Sequence, residues 1–114
     1  MYLCINNKVM QLNSNDILSS IRKKIQILAP YTRVLLFGSR ARGNATFASD
    51  WDILILLDKD RIEDSDYDNI AYPLFELGWD LNQQFSVKLY TVKDWEKRSF
   101  TPFYKNVEKE GIRL

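Results

Sequence analysis

The chain has 114 residues, 46% hydrophobic and 27% charged, with four glycines and three prolines, the profile of one compact domain rather than a disordered tail. It has no histidine and one cysteine, Cys4, which excludes a Ser-His-Asp triad, a His-ligated metal, an internal disulfide and a multi-cysteine zinc site. The net charge of +1 hides a segregation: residues 1–49 sum to +6, 50–80 to −8 and 81–114 to +3. A balance this close to zero argues against a general nucleic-acid-binding surface.

In chain order, Met1–Leu12 has no clear period and reads as a short strand or an irregular arm. Asn6, Asn7 and Lys8 stand where an export signal needs an apolar core, and no apolar run is long enough to span a bilayer, so a cytoplasmic chain with no membrane association is expected. Asn13, Ser14 and Asn15 offer N-caps for a helix over Asp16–Ala29, with Ile17, Ile21, Ile25 and Leu28 at helical spacing and Pro30 as its stop. Arg22, Lys23 and Lys24 solvate its outer side. Arg33–Phe37 is a short buried strand that runs into Gly38-Ser39, where a short helix begins and Gly43 ends it. Asp50–Leu57 is a second strand, apolar on both faces beyond Asp52.

Ile70, Leu74, Leu77 and Leu81 then predict a helix over Ser65–Gln83, kinked at Pro73. Phe85–Val92 alternates as a third strand, Asp94–Arg98 forms a helical turn, and Pro102–Glu110 is a closing helix stopped by Gly111. Phe100, Phe103, Tyr104 and Val107 mark one face of that helix, a spacing that fits core packing better than a docking surface; Trp51 and Trp79 share the ambiguity. The order α-β-α-β-α-β-α is an α/β or α+β arrangement, with no linker dividing residues 1–114 into two domains.

The informative pattern is Gly38-Ser39, ten residues, then Asp50-Trp51-Asp52. On an extended strand, residues two apart share a face at about 6.5 Å, so the two aspartates aim at one point. Like charges at that distance repel by roughly 2.5 kcal/mol at an effective dielectric near 20, and a cation relieves the repulsion. Oxygen donors without imidazole favour Mg²⁺ or Mn²⁺, metals that bridge to phosphate oxygens. Gly38 lets a phosphate approach the backbone, Ser39 offers a hydroxyl and an N–H, and Arg40 and Arg42 add cationic forks. The motif is neither a Walker A loop nor a dinucleotide fingerprint.

Gly38-Ser39-Arg40-Ala41-Arg42-Gly43 followed by Ser49-Asp50-Trp51-Asp52-Ile53-Leu54 resembles the signature of minimal nucleotidyltransferases of the DNA polymerase beta superfamily, antitoxin type. The resemblance runs from about Asp16 to Tyr90 and implies a small mixed β-sheet flanked by helices. It implies that Gly38, Ser39 and Arg42 bind the nucleotide, ATP or another nucleoside triphosphate. Asp50 and Asp52 would be the catalytic residues and the ligands of Mg²⁺ or Mn²⁺. By the same resemblance, AMP passes to a protein acceptor, a helical HEPN-type partner in a toxin–antitoxin pair, with homo-oligomerisation left open. The alternative is a catalytically weak module that neutralises its partner by binding. Members of the family place a third acid on a later strand, whereas Phe85–Val92 carries Lys88 as its only charged residue. Glu76 and Asp80 on the preceding helix are candidate substitutes, though both read more simply as solvated positions.

Overall fold

The computed structural model describes residues 2–5, 8–11, 13–30, 32–46 and 48–114. The expected strand or arm over Met1–Leu12 is an antiparallel pair, β1 (Tyr2–Ile5) and β2 (Lys8–Gln11), and Met1, Asn6, Asn7 and Leu12 lie outside the described residues. Helix α1 (Ser14–Leu28) begins two residues before the expected start. Its N-terminus is a reciprocal capping box: the Asn13 side chain accepts from Asp16 N–H at 2.9 Å, and the Asp16 carboxylate accepts from Asn13 N–H at 3.2 Å. Ile17, Ile21 and Ile25 are the buried stripe of this helix.

A four-stranded mixed sheet has the order β5-β4-β3-β6, with β3 (Arg33–Phe37), β4 (Trp51–Leu57), β5 (Phe85–Thr91) and β6 (Ile112–Arg113). β3 is antiparallel to β4 and β6, whereas β4 and β5 run parallel, joined by a helical crossover. Helices cover both faces of the sheet. Trp51, Ile53, Ile55 and Leu57 of β4 pack on one face with Ile17, Ile21 and Ile25 of α1 and with Ile70 and Leu74 of the crossover. Leu54 and Leu56 pack on the other with Leu35, Trp95 and Val107. Strand alternation puts Asp52 on this second face, at its open end.

The crossover is less regular than its periodicity suggests. A single α-turn, α3 (Asp64–Asp66), passes into a π-helical stretch, Tyr67–Ala71, and then into α4 (Tyr72–Asp80), with Pro73 in the first turn of α4. Proline lacks the N–H and crowds the carbonyl four residues back, and the wider π turn accommodates it, so the expected kink is a change of helical pitch. The helix ends at Asp80 rather than Gln83, and Asn82 reverses the chain at φ 55°.

Thr91 and Thr101 cap α5 (Val92–Lys97) and α6 (Pro102–Glu110), each hydroxyl accepting a backbone N–H three residues on. Phe103, Tyr104 and Val107 of α6 do pack inward, with the Trp95 ring 5.6 Å from Phe103 and 4.9 Å from Tyr104, but Phe100 precedes the helix and is 77% exposed. Strand β6, only two residues long, was beyond the reach of a period-two signal. Among the described residues, no helix is long and apolar enough to cross a membrane.

Glu108 ties α6 to the sheet, accepting from the Trp95 indole N–H at 2.8 Å and from Arg33 at 2.6 Å. Partial burial pushes its carboxyl up, and the bonds from Arg33 and Trp95 outweigh that and hold it below the usual carboxylate range. A depressed folded value stabilises the protein above the unfolded carboxyl's range, and that stabilisation is lost as pH falls through the folded value. Glu108→Ala, which leaves a buried indole N–H without its acceptor, should therefore cost about 1–3 kcal/mol at neutral pH. Thermal melts of the two proteins should draw together as pH falls through the Glu108 titration.

Candidate functional site

Strand β3 ends at Phe37 and hands the chain to Gly38, whose φ of 74° and ψ of −158° lie in a region open to glycine almost alone. A Cβ at this position would overlap Oδ2 of Asp52. The turn backbone is thus packed directly against a carboxylate. Helix α2 (Ser39–Arg42) follows, one turn long, and Gly43 closes it at φ 81° with its N–H on the Ser39 carbonyl at 3.1 Å. Ser39 is the first residue of the turn, a position whose N–H has no intrahelical acceptor.

Arg40, expected beside Arg42 as a cationic fork, and Trp51, given no site role from sequence, fix the approach to Asp50. The Arg40 guanidinium lies 4.5 Å over the Trp51 ring and donates to the Ser49 carbonyl at 2.9 Å. Trp51, 2% exposed, donates its indole N–H to the Gln83 side chain at 3.1 Å and its backbone N–H to the Gln84 carbonyl at 2.9 Å. Ser49 and Trp51 flank Asp50, so both of its chain neighbours are anchored. The ambiguity over Trp51 resolves as core, and Trp79, 65% exposed, is surface. Aromatic and guanidinium spacing carries no period that would mark such a latch in the sequence.

Strand β4 starts at Trp51, so Asp50 stands just outside it rather than on it as expected. The two aspartates still share one electrostatic site. Burial raises the Asp52 carboxyl, the Asp50 charge raises it further, and Lys88 and Arg42 pull in the opposite direction. Lys88 is the site residue that sequence left without a role. In the parallel register Ser86 pairs with Asp52 and Lys88 with Leu54, so both β5 residues share the Asp52 face. Only the strand register, invisible in one sequence, reveals this. Arg42, the expected phosphate ligand, is held near the turn by an ion pair to Glu110 of α6 at 3.6 Å.

Glu76 and Asp80 do not complete the dyad. Both are exposed on α4, which packs against the opposite sheet face. Among the described residues no group of three or more carboxylate, histidine or cysteine side chains is arranged to hold a metal ion. The donor set that is present, two carboxylates of which one is raised by burial and then by the charge of the other, fits a hard divalent cation completed by oxygens from elsewhere, such as phosphate.

With this geometry in view, the sequence model for the nucleotidyltransferase domain family matches residues 18–114. No curated protein matches significantly. Among solved structures, a toxin-antitoxin with AMP-PNP superposes with a TM-score of 0.57 at 24% identity, covering 90% of this chain and 72% of that one. A mutant of the toxin-antitoxin MntA-HpeT gives a TM-score of 0.55 at 27% identity, covering 91% and 72%. A second MntA-HpeT mutant gives 0.56 at 22%, covering 90% and 72%.

Three substitutions test the geometry. Gly38→Ala should cost about 1–3 kcal/mol from backbone strain alone, and its Cβ must also displace the Asp52 carboxylate. Gly43→Ala, with nothing within 4 Å of the new Cβ, should cost only about 1 kcal/mol. Chemical denaturation of the two variants would measure the difference. Asp52→Asn should raise the melting temperature at neutral pH. A raised folded pKa means the ionised form is disfavoured by folding, so that cost is fully present above the folded value. The variant's advantage should shrink as pH falls through that value and vanish below the ordinary carboxyl range.

Proposed function

Because the chain belongs to the nucleotidyltransferase domain family, we propose that it transfers a nucleoside monophosphate, AMP from ATP, to a protein partner, acting as the antitoxin of a toxin–antitoxin pair. The carrying observation is the contact of the Gly38 turn with Asp52, which sets a glycine turn and its following arginine, Arg42, beside a carboxylate pair that wants a cation. The likeness to the toxin-antitoxin MntA-HpeT supports a protein partner, and the likeness to a toxin-antitoxin with AMP-PNP supports an adenine nucleotide; the helical HEPN type of that partner rests on the resemblance of the Gly38–Leu54 motif.

On this reading residues 1–114 act as one domain. Gly38 lets the triphosphate lie against the chain, and Ser39 orients it through its hydroxyl and N–H. Asp50 and Asp52 would hold Mg²⁺ or Mn²⁺, which supplies charge neutralisation for the oxygens that gain negative charge during phosphoryl transfer. Arg42 exchanges Glu110 for the β- and γ-phosphates, so its positive charge faces the pyrophosphate as it leaves. The acceptor hydroxyl oxygen forms a bond to the α-phosphorus, the bond to the bridging oxygen breaks so that pyrophosphate leaves with that electron pair, and the hydroxyl proton passes to solvent water.

One observation favours a second reading. Lys88 brings a positive charge to Asp52 where a further carboxylate would be needed to gather more metal or to take that proton. A site so built retains nucleotide binding while transfer weakens, and the chain then neutralises its partner sterically.

The purified pair incubated with labelled ATP and Mg²⁺ separates the two. Label should appear on the partner, and Asp50→Asn or Asp52→Asn should lower its rate about 100-fold or more. Both variants should keep a native melting transition while losing the stabilisation that AMP-PNP with Mn²⁺ gives the parent chain. A double Asn variant that protects cells from the partner as fully as the parent chain would establish the binding module instead.

A further inference from the structure

Beside the Gly38 turn lies a cavity of about 360 Å³, lined by Phe37, Gly38, Arg42, Phe103, Asn106, Val107 and Glu110. Its walls come from the end of β3, from α2 and from one stripe of α6, since positions 103, 106, 107 and 110 recur at helical spacing. The cavity and the Asp52 carboxylate share Gly38, and Phe37 is the register partner of Asp52 on the neighbouring strand. Both therefore open on the same face of the sheet.

The lining is divided in character. Phe37, Phe103 and Val107 form an apolar wall, with the two phenyl rings edge to face at 5.6 Å. Asn106, which is exposed and offers both a donor and an acceptor, sits on the rim with Glu110 and Arg42. A flat heterocycle with a polar edge satisfies both parts, stacking on the aromatic wall and hydrogen-bonding along the rim. A molecule that fills this space and also reaches the Gly38 turn must be flat at one end and anionic at the other.

Resting on the nucleotide reading above, we propose that this cavity is the nucleobase subsite, where the base packs against Phe103 and its amino-bearing edge meets Asn106 and Glu110. The Arg42–Glu110 pair links the two halves of the ligand. At 3.6 Å the contact is loose, and a phosphate that draws Arg42 away frees the Glu110 carboxylate to accept from an exocyclic amine of the base. Base and phosphate binding are then coupled through one helix.

The test compares AMP-PNP with inorganic tripolyphosphate, each with Mn²⁺, by titration calorimetry on the parent chain, Asn106→Ala and Phe103→Leu. The parent chain should bind AMP-PNP about tenfold or more tighter than tripolyphosphate. Asn106→Ala, at an exposed position, should lose about fivefold to tenfold for AMP-PNP, and Phe103→Leu about tenfold, with tripolyphosphate affinity unchanged in both. Equal affinity for the two ligands, or variants that bind AMP-PNP like the parent, would overturn the subsite while leaving phosphate binding intact. Variants that bind AMP-PNP normally yet transfer more slowly would assign the cavity to the acceptor and overturn it too. Binding of neither ligand would remove the nucleotide reading and this subsite with it.

Discussion

The arrangement depends on one close approach, the backbone of Gly38 against the carboxylate of Asp52. It arises because β3 and β4 pair antiparallel with Phe37 opposite Asp52, so the end of one strand and the start of the other meet at a single sheet edge. A slip of one residue in that register would send Asp52 into the face packed by α1 and α4. The register is pinned by the apolar residues inward of the pair. Leu36 with Ile53 and Val34 with Ile55 bury on one face, and Leu35 with Leu54 on the other. Burial of these side chains, at about 1.5–3 kcal/mol each, outweighs the cost of holding two carboxylates near one another.

That cost is nonetheless real, and the surroundings are arranged to contain it. Asp52 lies half-buried beside the Asp50 charge, with Lys88 and Arg42 supplying partial compensation from β5 and α2. Arg40 takes a different part. Its guanidinium stacks on Trp51 and binds the Ser49 carbonyl, so it holds the loop rather than the ligand. Three basic residues within or opposite one motif thus divide: Arg40 latches the loop, Arg42 pairs with Glu110 beside the turn, and Lys88 sets its charge against Asp52 from β5. A site whose ionised form is disfavoured by the fold gains from any cation that enters it, and this is how local instability becomes binding affinity.

Much of this was legible in the sequence because the relevant signals are local. The spacing of Gly38, Ser39, Asp50 and Asp52 survives folding intact, since the turn and the strand start are each specified within a few residues. Helix α1 and helix α6 were legible from caps and period, the latter at its observed bounds of Pro102–Glu110. What escaped required partners distant in the chain. Strand β6 exists only because β3 offers it an edge, and Lys88 joins the site only through the parallel pairing of β4 with β5. Glu76 and Asp80 failed as substitutes for the same reason, because which sheet face a helix covers is a tertiary fact. The π stretch before Pro73 shows a local signal, a proline in an otherwise helical pattern, read in its position but not in its form.

Helix α6 joins these strands of the argument. Neighbouring residues on its last turn face different tasks: Val107 packs in the core with Trp95, Glu108 binds Arg33 and the Trp95 indole, and Glu110 meets Arg42 beside the Gly38 turn. The chain then turns at Gly111 and adds β6 to β3, the strand that ends at Gly38. The element that closes the hydrophobic face and the element that borders the carboxylate pair are therefore one helix, held at its far end by the strand that carries the turn. A ligand that drew Arg42 away from Glu110 would therefore act on the same helix, about 13.5 Å long at 1.5 Å per residue over nine residues, that packs Val107 into the second core.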